Sequence, residues 1–245
     1  MRMAALIAML AGCGFSPPSS AVRSGDDPMV DARPIDARPH DAGIPSDGGA
    51  LPATCIAAGA GSDSSVTLYV GGNADQPWTA FCHAGLEYLA VSGSNFGQYT
   101  QSMKSPGTNV RTTYTKLRID PVDLEVDICD QTFATSTGSL RHDPANNPNL
   151  PPVTSMPVGV AMDCGGNKSA SGAANVDVSG TPFAISSTWK PGGNKTGGNT
   201  MPSSNGRALA ITGGGDCGWN APNGSPGNPF NTFTPSNLIK LQYLP

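Results

Sequence analysis

The chain has 245 residues and a formal charge of −4, with 13% charged residues against 31 glycines and 23 prolines. From Cys55 onward 10 lysines and arginines stand against 12 aspartates and glutamates, a balance of 10 − 12 = −2 with no basic run, so no nucleic-acid partner is expected. So much glycine and proline excludes long helices and favours short strands joined by turns.

The first element is a short export signal. Arg2 supplies a positive charge, Ala4 to Ala11 is apolar, and small residues precede Cys13. The run is far shorter than the roughly 20 apolar residues that span a bilayer. Leu10-Ala11-Gly12-Cys13 resembles the lipobox of bacterial lipoproteins. That resemblance implies a signal peptide over 1–12 and a lipid on Cys13, whose acyl chains make the membrane the first partner. Gly14 follows the cysteine where an aspartate would favour inner-membrane retention, so the expected location is the outer membrane or cell surface.

Residues 13–54 read as a tether. Pro, Ala, Ser, Asp and Gly dominate, and Asp31-Ala32-Arg33-Pro34 recurs as Asp36-Ala37-Arg38-Pro39. Such a stretch has too little apolar surface to offset its conformational entropy. As a flexible chain it spans on the order of 35 Å, and its prolines lengthen that.

Residues 55–245 suffice for one domain with a real core. Strands are expected at Val66–Val70, Trp78–Cys82, Leu86–Val91 and Thr112–Ile119. Val122, Leu124, Val126 and Ile128 alternate with Asp123, Glu125 and Asp127, the pattern of a half-buried strand. Further strands are expected at Val158–Met162, Val176–Val178, Phe183–Trp189, Ala208–Thr212 and Leu238–Leu244. Residues 143–152, 191–206 and 220–236 read as long loops. The fold class is all-β, a sandwich or barrel-like single domain. Trp78, Phe81, Tyr88, Phe133, Phe183 and Trp189 are expected in its core, with Trp219 packed on a disulfide.

Chemical signatures are sparse. The histidines are His40, His83 and His142, with no second histidine at i+4, so no zinc site is expected. No serine sits in a Gly-x-Ser-x-Gly elbow, and Cys82-His83, adjacent on a strand, point to opposite faces. No catalytic residues are therefore expected. Asp123, Glu125 and Asp127 on one strand face read as a solvated acidic face, with a calcium site as the sharper alternative. Beyond Cys13 the chain has Cys55, Cys82, Cys129, Cys164 and Cys217, which suits export and allows two disulfides and one leftover thiol. Their spacing does not choose among the pairings.

An ordered set of motifs resembles the GON domain, which ends some secreted ADAMTS metalloproteases. The motifs are Thr67-Leu68-Tyr69, Trp78 to Cys82, Glu87-Tyr88-Leu89, Tyr114 to Asp120, and Asp130 to Ala134. Met162-Asp163-Cys164, Val176 to Phe183, Trp189, and Gly213 to Gly218 follow. The likeness runs from Cys55 to Pro222, leaving 223–245 as a C-terminal loop and strand of the same domain. In those enzymes the module is appended to a zinc protease domain absent from this chain, so the metalloprotease link is one of association. With the resemblance in view, the expected disulfides are Cys55–Cys82 and Cys164–Cys217, with Cys129 free or intermolecular.

These features lead to an expected non-catalytic binding or adhesion module, anchored by lipid and taking a protein or glycan ligand. A calcium-dependent secreted hydrolase and a structural envelope lipoprotein are the alternatives.

Overall fold

In a computed structural model, residues 50–166, 170–222 and 238–245 are described. The expected signal segment, Cys13 and the tether up to residue 49 lie outside the described residues. Twelve strands run in chain order as β1 (Ser64–Tyr69), β2 (Pro77–His83), β3 (Leu86–Thr100), β4 (Gly107–Asp120), β5 (Glu125–Asp127) and β6 (Ala134–Leu140). They continue as β7 (Ala161–Asp163), β8 (Gly172–Asp177), β9 (Phe183–Ile185), β10 (Trp189–Pro202), β11 (Ala208–Pro222) and β12 (Leu238–Tyr243). Among the described residues the one helical element is a 3-10 turn at Val70–Gly72. None of their helices is long and apolar enough to cross a membrane.

All twelve strands join one sheet, whose main path is β10-β11-β7-β3-β4-β5-β12-β9. Pairing is antiparallel except where β7 runs parallel to β3, with Tyr99 opposite Met162. Between β2 and β3 the register His83↔Leu86 leaves a two-residue turn, Ala84-Gly85. Both turn residues sit at positive φ, as a type I′ hairpin requires. The strand β12 pairs with both β5 and β9, so the C-terminal strand is part of the sheet. The sheet curls on itself: the Ile185 N–H in β9 donates to the Gly206 carbonyl in the β10–β11 turn at 2.9 Å. The fold is thus all-β and barrel-like.

The wrap encloses Leu68, Trp78, Leu89, Tyr99, Leu117, Ile119, Met156, Met162 and Phe183, all buried. Burying one such side chain is worth about 1.5–3 kcal/mol. The Tyr114 hydroxyl enters the core because it donates to the Met156 carbonyl at 2.6 Å. A buried hydroxyl without that partner would be costly. The chain joins this body before Cys55. Residues 51 to 54 are half-buried, and the Tyr69 N–H donates to the Pro52 carbonyl at 2.9 Å.

Four local expectations are corrected. The alternation from Val122 to Ile128 shrinks to the three residues of β5, because Asp120 caps a turn there. Its Oδ1 accepts the N–H of Val122 at 2.8 Å and of Asp123 at 3.3 Å, and Leu124 lies at φ 53°. Val122 is consequently 73% exposed. Second, 191–206 is largely strand: β10 and β11 pair from Trp189↔Pro222 to Pro202↔Leu209. A mostly exposed strand of Gly, Asn, Lys and Thr carries no apolar period, so composition alone reads as loop. Third, β6 is Ala-Thr-Ser-Thr-Gly-Ser-Leu, and its polar, exposed residues hid it in the same way. Fourth, Phe81 and Phe133 are half-exposed on the outer face rather than in the core.

Disulfides join Cys55 to Cys82 and Cys164 to Cys217. The first staples the N-terminal turn to β2, closing a separation of 27 residues. Replacing Cys55 and Cys82 together by serine should lower stability by about 3–4 kcal/mol. Calorimetry on the paired variant should show the melting temperature falling by about 10 °C.

Candidate functional site

Three places collect chemistry-bearing side chains. The first is the acidic stretch singled out for calcium. Glu125 pairs with Lys240 of β12 at 3.0 Å. Asp127 lies 3.5 Å from Arg118 and accepts the Cys129 N–H at 2.9 Å. Burial pushes the Asp127 carboxyl above its usual range, which hydrogen bonding and Arg118 only partly oppose. Asp123 is exposed on the turn, off the face of the other two. The structure therefore engages two of the three carboxylates in separate ion pairs and does not bring the set together as ligands.

The second is an outward patch of Phe81, Phe133 and Lys116, with Tyr88 of β3 buried beneath it. The rings of Phe81 and Tyr88 meet Phe133 edge-on, with centroids 5.5 and 4.9 Å away. His83 meets the same ring at 5.2 Å. The Lys116 ammonium lies 4.3 Å from the centroids of both Phe81 and Phe133, within cation–π range. Tyr88 donates to Asp130 at 3.2 Å, and His83 Nδ1 is 2.8 Å from Asp63. The hydrogen bond from His83 holds the Asp63 carboxyl below its usual range. The patch presents aromatic surface, a cation and hydrogen-bonding groups together. His83 points to Asp63 while Cys82 is bonded to Cys55, so the two adjacent residues form no nucleophilic pair.

The third is a corner where β7 is held between β3 and β11. Asp163 is fully buried, and its carboxylate accepts four donors. Ser171 gives its N–H at 2.5 Å and its hydroxyl at 2.7 Å, Gly215 its N–H at 2.8 Å, and Gly165 its N–H at 3.2 Å. A Cβ on Gly214 would stand 2.2 Å from the Asp163 carboxyl carbon, and Gly214 lies at φ 145°. The approach of Asp163 thus explains the glycine at 214, while a Cβ on Gly213 would stand 2.5 Å from the Ala161 carbonyl oxygen. Next to Asp163 stand buried Cys164 and partly buried Cys217, the latter at φ 57°.

His142 belongs to the same corner. It is buried, and its Nδ1 is 2.9 Å from the Tyr99 hydroxyl. Burial lowers the affinity of His142 for a proton, only partly offset by Asp143, so the imidazole is neutral at pH 7. Burial also pushes the Tyr99 phenol up to about 12. The ligand atoms of His142, Cys164 and Cys217 lie within 4.8 Å of one another, the one such group of three metal-capable side chains among the described residues. The sequence misses it because 22 residues separate His142 from Cys164 and 53 separate the two cysteines. No motif spacing spans such distances. Trp219, expected on the disulfide, lies over β10, where a Cβ at Gly192 would come 2.7 Å from its Nε1.

At the rim, Asp216 accepts from Lys104 at 2.6 Å and from Asn194 at 3.2 Å, with Lys195 at 3.5 Å. A separate cleft of 330 Å³ lies between β9, β10 and β11, floored by Trp189, whose Nε1 donates to the Gly159 carbonyl at 2.7 Å.

No protein-family model, no curated protein and no solved structure matches the chain. The two disulfides indicate an oxidising, exported environment.

The Lys104 hydrogen bond holds the Asp216 carboxyl below its usual value of 3.8, and Asp216 raises Lys104 in turn. A carboxyl with a lowered folded value stabilises fully above its unfolded value and loses that contribution as pH falls through the folded one. Asp216→Asn should therefore melt below the parent at pH 7. Melting curves should show the gap closing below about pH 3.8.

Proposed function

We propose that this chain is an exported, lipid-anchored and non-catalytic binding module, holding its β domain off the membrane to take a protein or glycan ligand. The observation that carries the reading is the outward patch of Phe81, Phe133 and Lys116. Half-exposed aromatic rings on a well-paired sheet offer flat apolar surface at little entropic cost, and an adjacent cation adds orientation. The sheet beneath fixes the patch: Phe81 pairs across strands with Tyr88, and Tyr88 with Arg118.

The anchor follows from Leu10-Ala11-Gly12-Cys13, and the spacer from the repeated Asp-Ala-Arg-Pro units. In this reading Cys13 carries the acyl chains, and the domain stands at the outer membrane or cell surface. The ordered motifs from Cys55 to Pro222 support a GON-like module, whose link to metalloproteases is one of chain architecture. The calcium-dependent alternative has less support, since Glu125 and Asp127 are paired to Lys240 and Arg118.

Two measurements test the reading. Cys13→Ala should move the protein from the membrane fraction to the soluble fraction, and an unchanged fractionation would remove the anchor. Glycan and matrix-protein arrays should yield a ligand whose affinity falls about tenfold or more when Phe81 and Phe133 are both replaced by alanine. Binding indifferent to that pair would remove the patch from the account.

A further inference from the structure

The two disulfides stand in different surroundings. Cys55 and Cys82 are 0% and 1% exposed, inside the core. Cys217 is only partly buried, unlike the other three bridged cysteines, and it is a non-glycine residue held at φ 57° in the middle of β11. A residue in the left-handed region inside a strand costs energy that the surrounding structure must supply. Exposed and strained bridges are the ones that exchange with external thiols. The Cys164–Cys217 bridge is therefore the one a dithiol reaches first.

Opening that bridge does not release the corner. Asp163 keeps four donors on its carboxylate, and the Lys104 N–H donates to the Cys164 carbonyl at 3.2 Å. The Cys164 N–H donates to the Ser102 hydroxyl at 3.1 Å. Pairing of Asp163 with Gly218 continues β7 against β11. Two thiols would thus stay side by side, next to a buried imidazole already oriented through Tyr99.

We propose that His142, Cys164 and Cys217 form a redox-gated site for a thiophilic divalent metal, zinc being the natural occupant: shut as a disulfide, open when the bridge is reduced. The balance is simple. A dithiol donor transfers two electrons and two protons to the bridge, giving two cysteine thiols and leaving the donor as its own disulfide. Zinc then displaces both thiol protons, which leave to solvent, and the imidazole adds a third ligand as a neutral nitrogen. Two thiolates balance the ion's charge. Three protein ligands leave a fourth position for water or an incoming group. The Tyr99 hydroxyl at Nδ1 fixes the ring, as outer partners of metal-bound histidines do, so Nε2 is the ligating atom. The inference does not depend on the aromatic patch or on the ligand it takes.

The full chain is tested with metal alone. It is treated with graded dithiothreitol under argon, and alkylated cysteines are mapped by mass spectrometry. Cys164 and Cys217 should be labelled before Cys55 and Cys82. Co²⁺, then Zn²⁺, is titrated into the partly reduced and the oxidised protein. The reduced form should take about one equivalent, with the near-ultraviolet thiolate-to-cobalt band, and the oxidised form none. Zinc should raise the melting temperature of the reduced form only. The double variant Cys164→Ser with Cys217→Ser, which keeps Cys55, Cys82 and Cys129, should lose the band. His142→Ala should weaken binding by at least about tenfold, and Tyr99→Phe by about tenfold. Circular dichroism confirms that each variant is folded; should His142→Ala unfold, His142→Gln replaces it. The proposal is overturned if Cys55–Cys82 opens first or if opening Cys164–Cys217 unfolds the domain. Cobalt binding that the double serine variant retains also overturns it.

Discussion

One buried charge sets the geometry of the domain's most elaborate corner. A carboxylate taken out of water is tolerable only when its oxygens are saturated with donors, and Asp163 meets that condition through Gly165, Ser171 and Gly215. Hydrogen bonds to a charged group are worth about 1.5–3 kcal/mol each. The requirement reaches outward. Gly215 must bring its N–H inward, which forces β11 close to β7 and leaves no room for a side chain at Gly214. Cys217 is then carried beside Cys164, and Tyr99, in register with Met162 on the neighbouring strand, brings His142 to the same place.

The outer face follows a different logic. Where β2, β3 and β4 expose one side, aromatic residues are not driven inward, and Phe81 and Phe133 stay at the surface with Lys116 between them. Lys116 lies over both rings, which meet edge-on above the buried ring of Tyr88. The acidic stretch flanks the end of β4, where Asp127 is paired with Arg118 and Glu125 with Lys240. Within one domain, then, one corner is dense in hydrogen bonds around Asp163, and one face carries partly exposed aromatic rings.

Strand positions were legible in sequence where burial was one-sided. Val66, Leu68 and Trp78 mark β1 and β2 because apolar residues recur there at every second position. The strands β6 and β10 do not show in the sequence because nearly all their residues are polar or glycine and at least partly exposed, with Leu140 and Trp189 buried only at one end of each, so no period survives. The turn at Asp120–Leu124 was misread because a side-chain cap and a positive φ override an otherwise perfect alternation.

Composition and pattern along the chain suffice for a cysteine-bearing all-β domain that follows a short apolar start and a polar, proline-rich stretch. Those properties follow from local composition, which sets what can be buried and what cannot. That His142 meets Cys164 and Cys217, Asp216 meets Lys104, and Phe133 meets Phe81 emerges in the folded chain alone. Each grouping joins a residue of a connecting segment, His142, Lys104 or Phe133, to a strand distant in the chain, and packing across the whole sheet sets where those segments lie. No spacing along the chain carries that information.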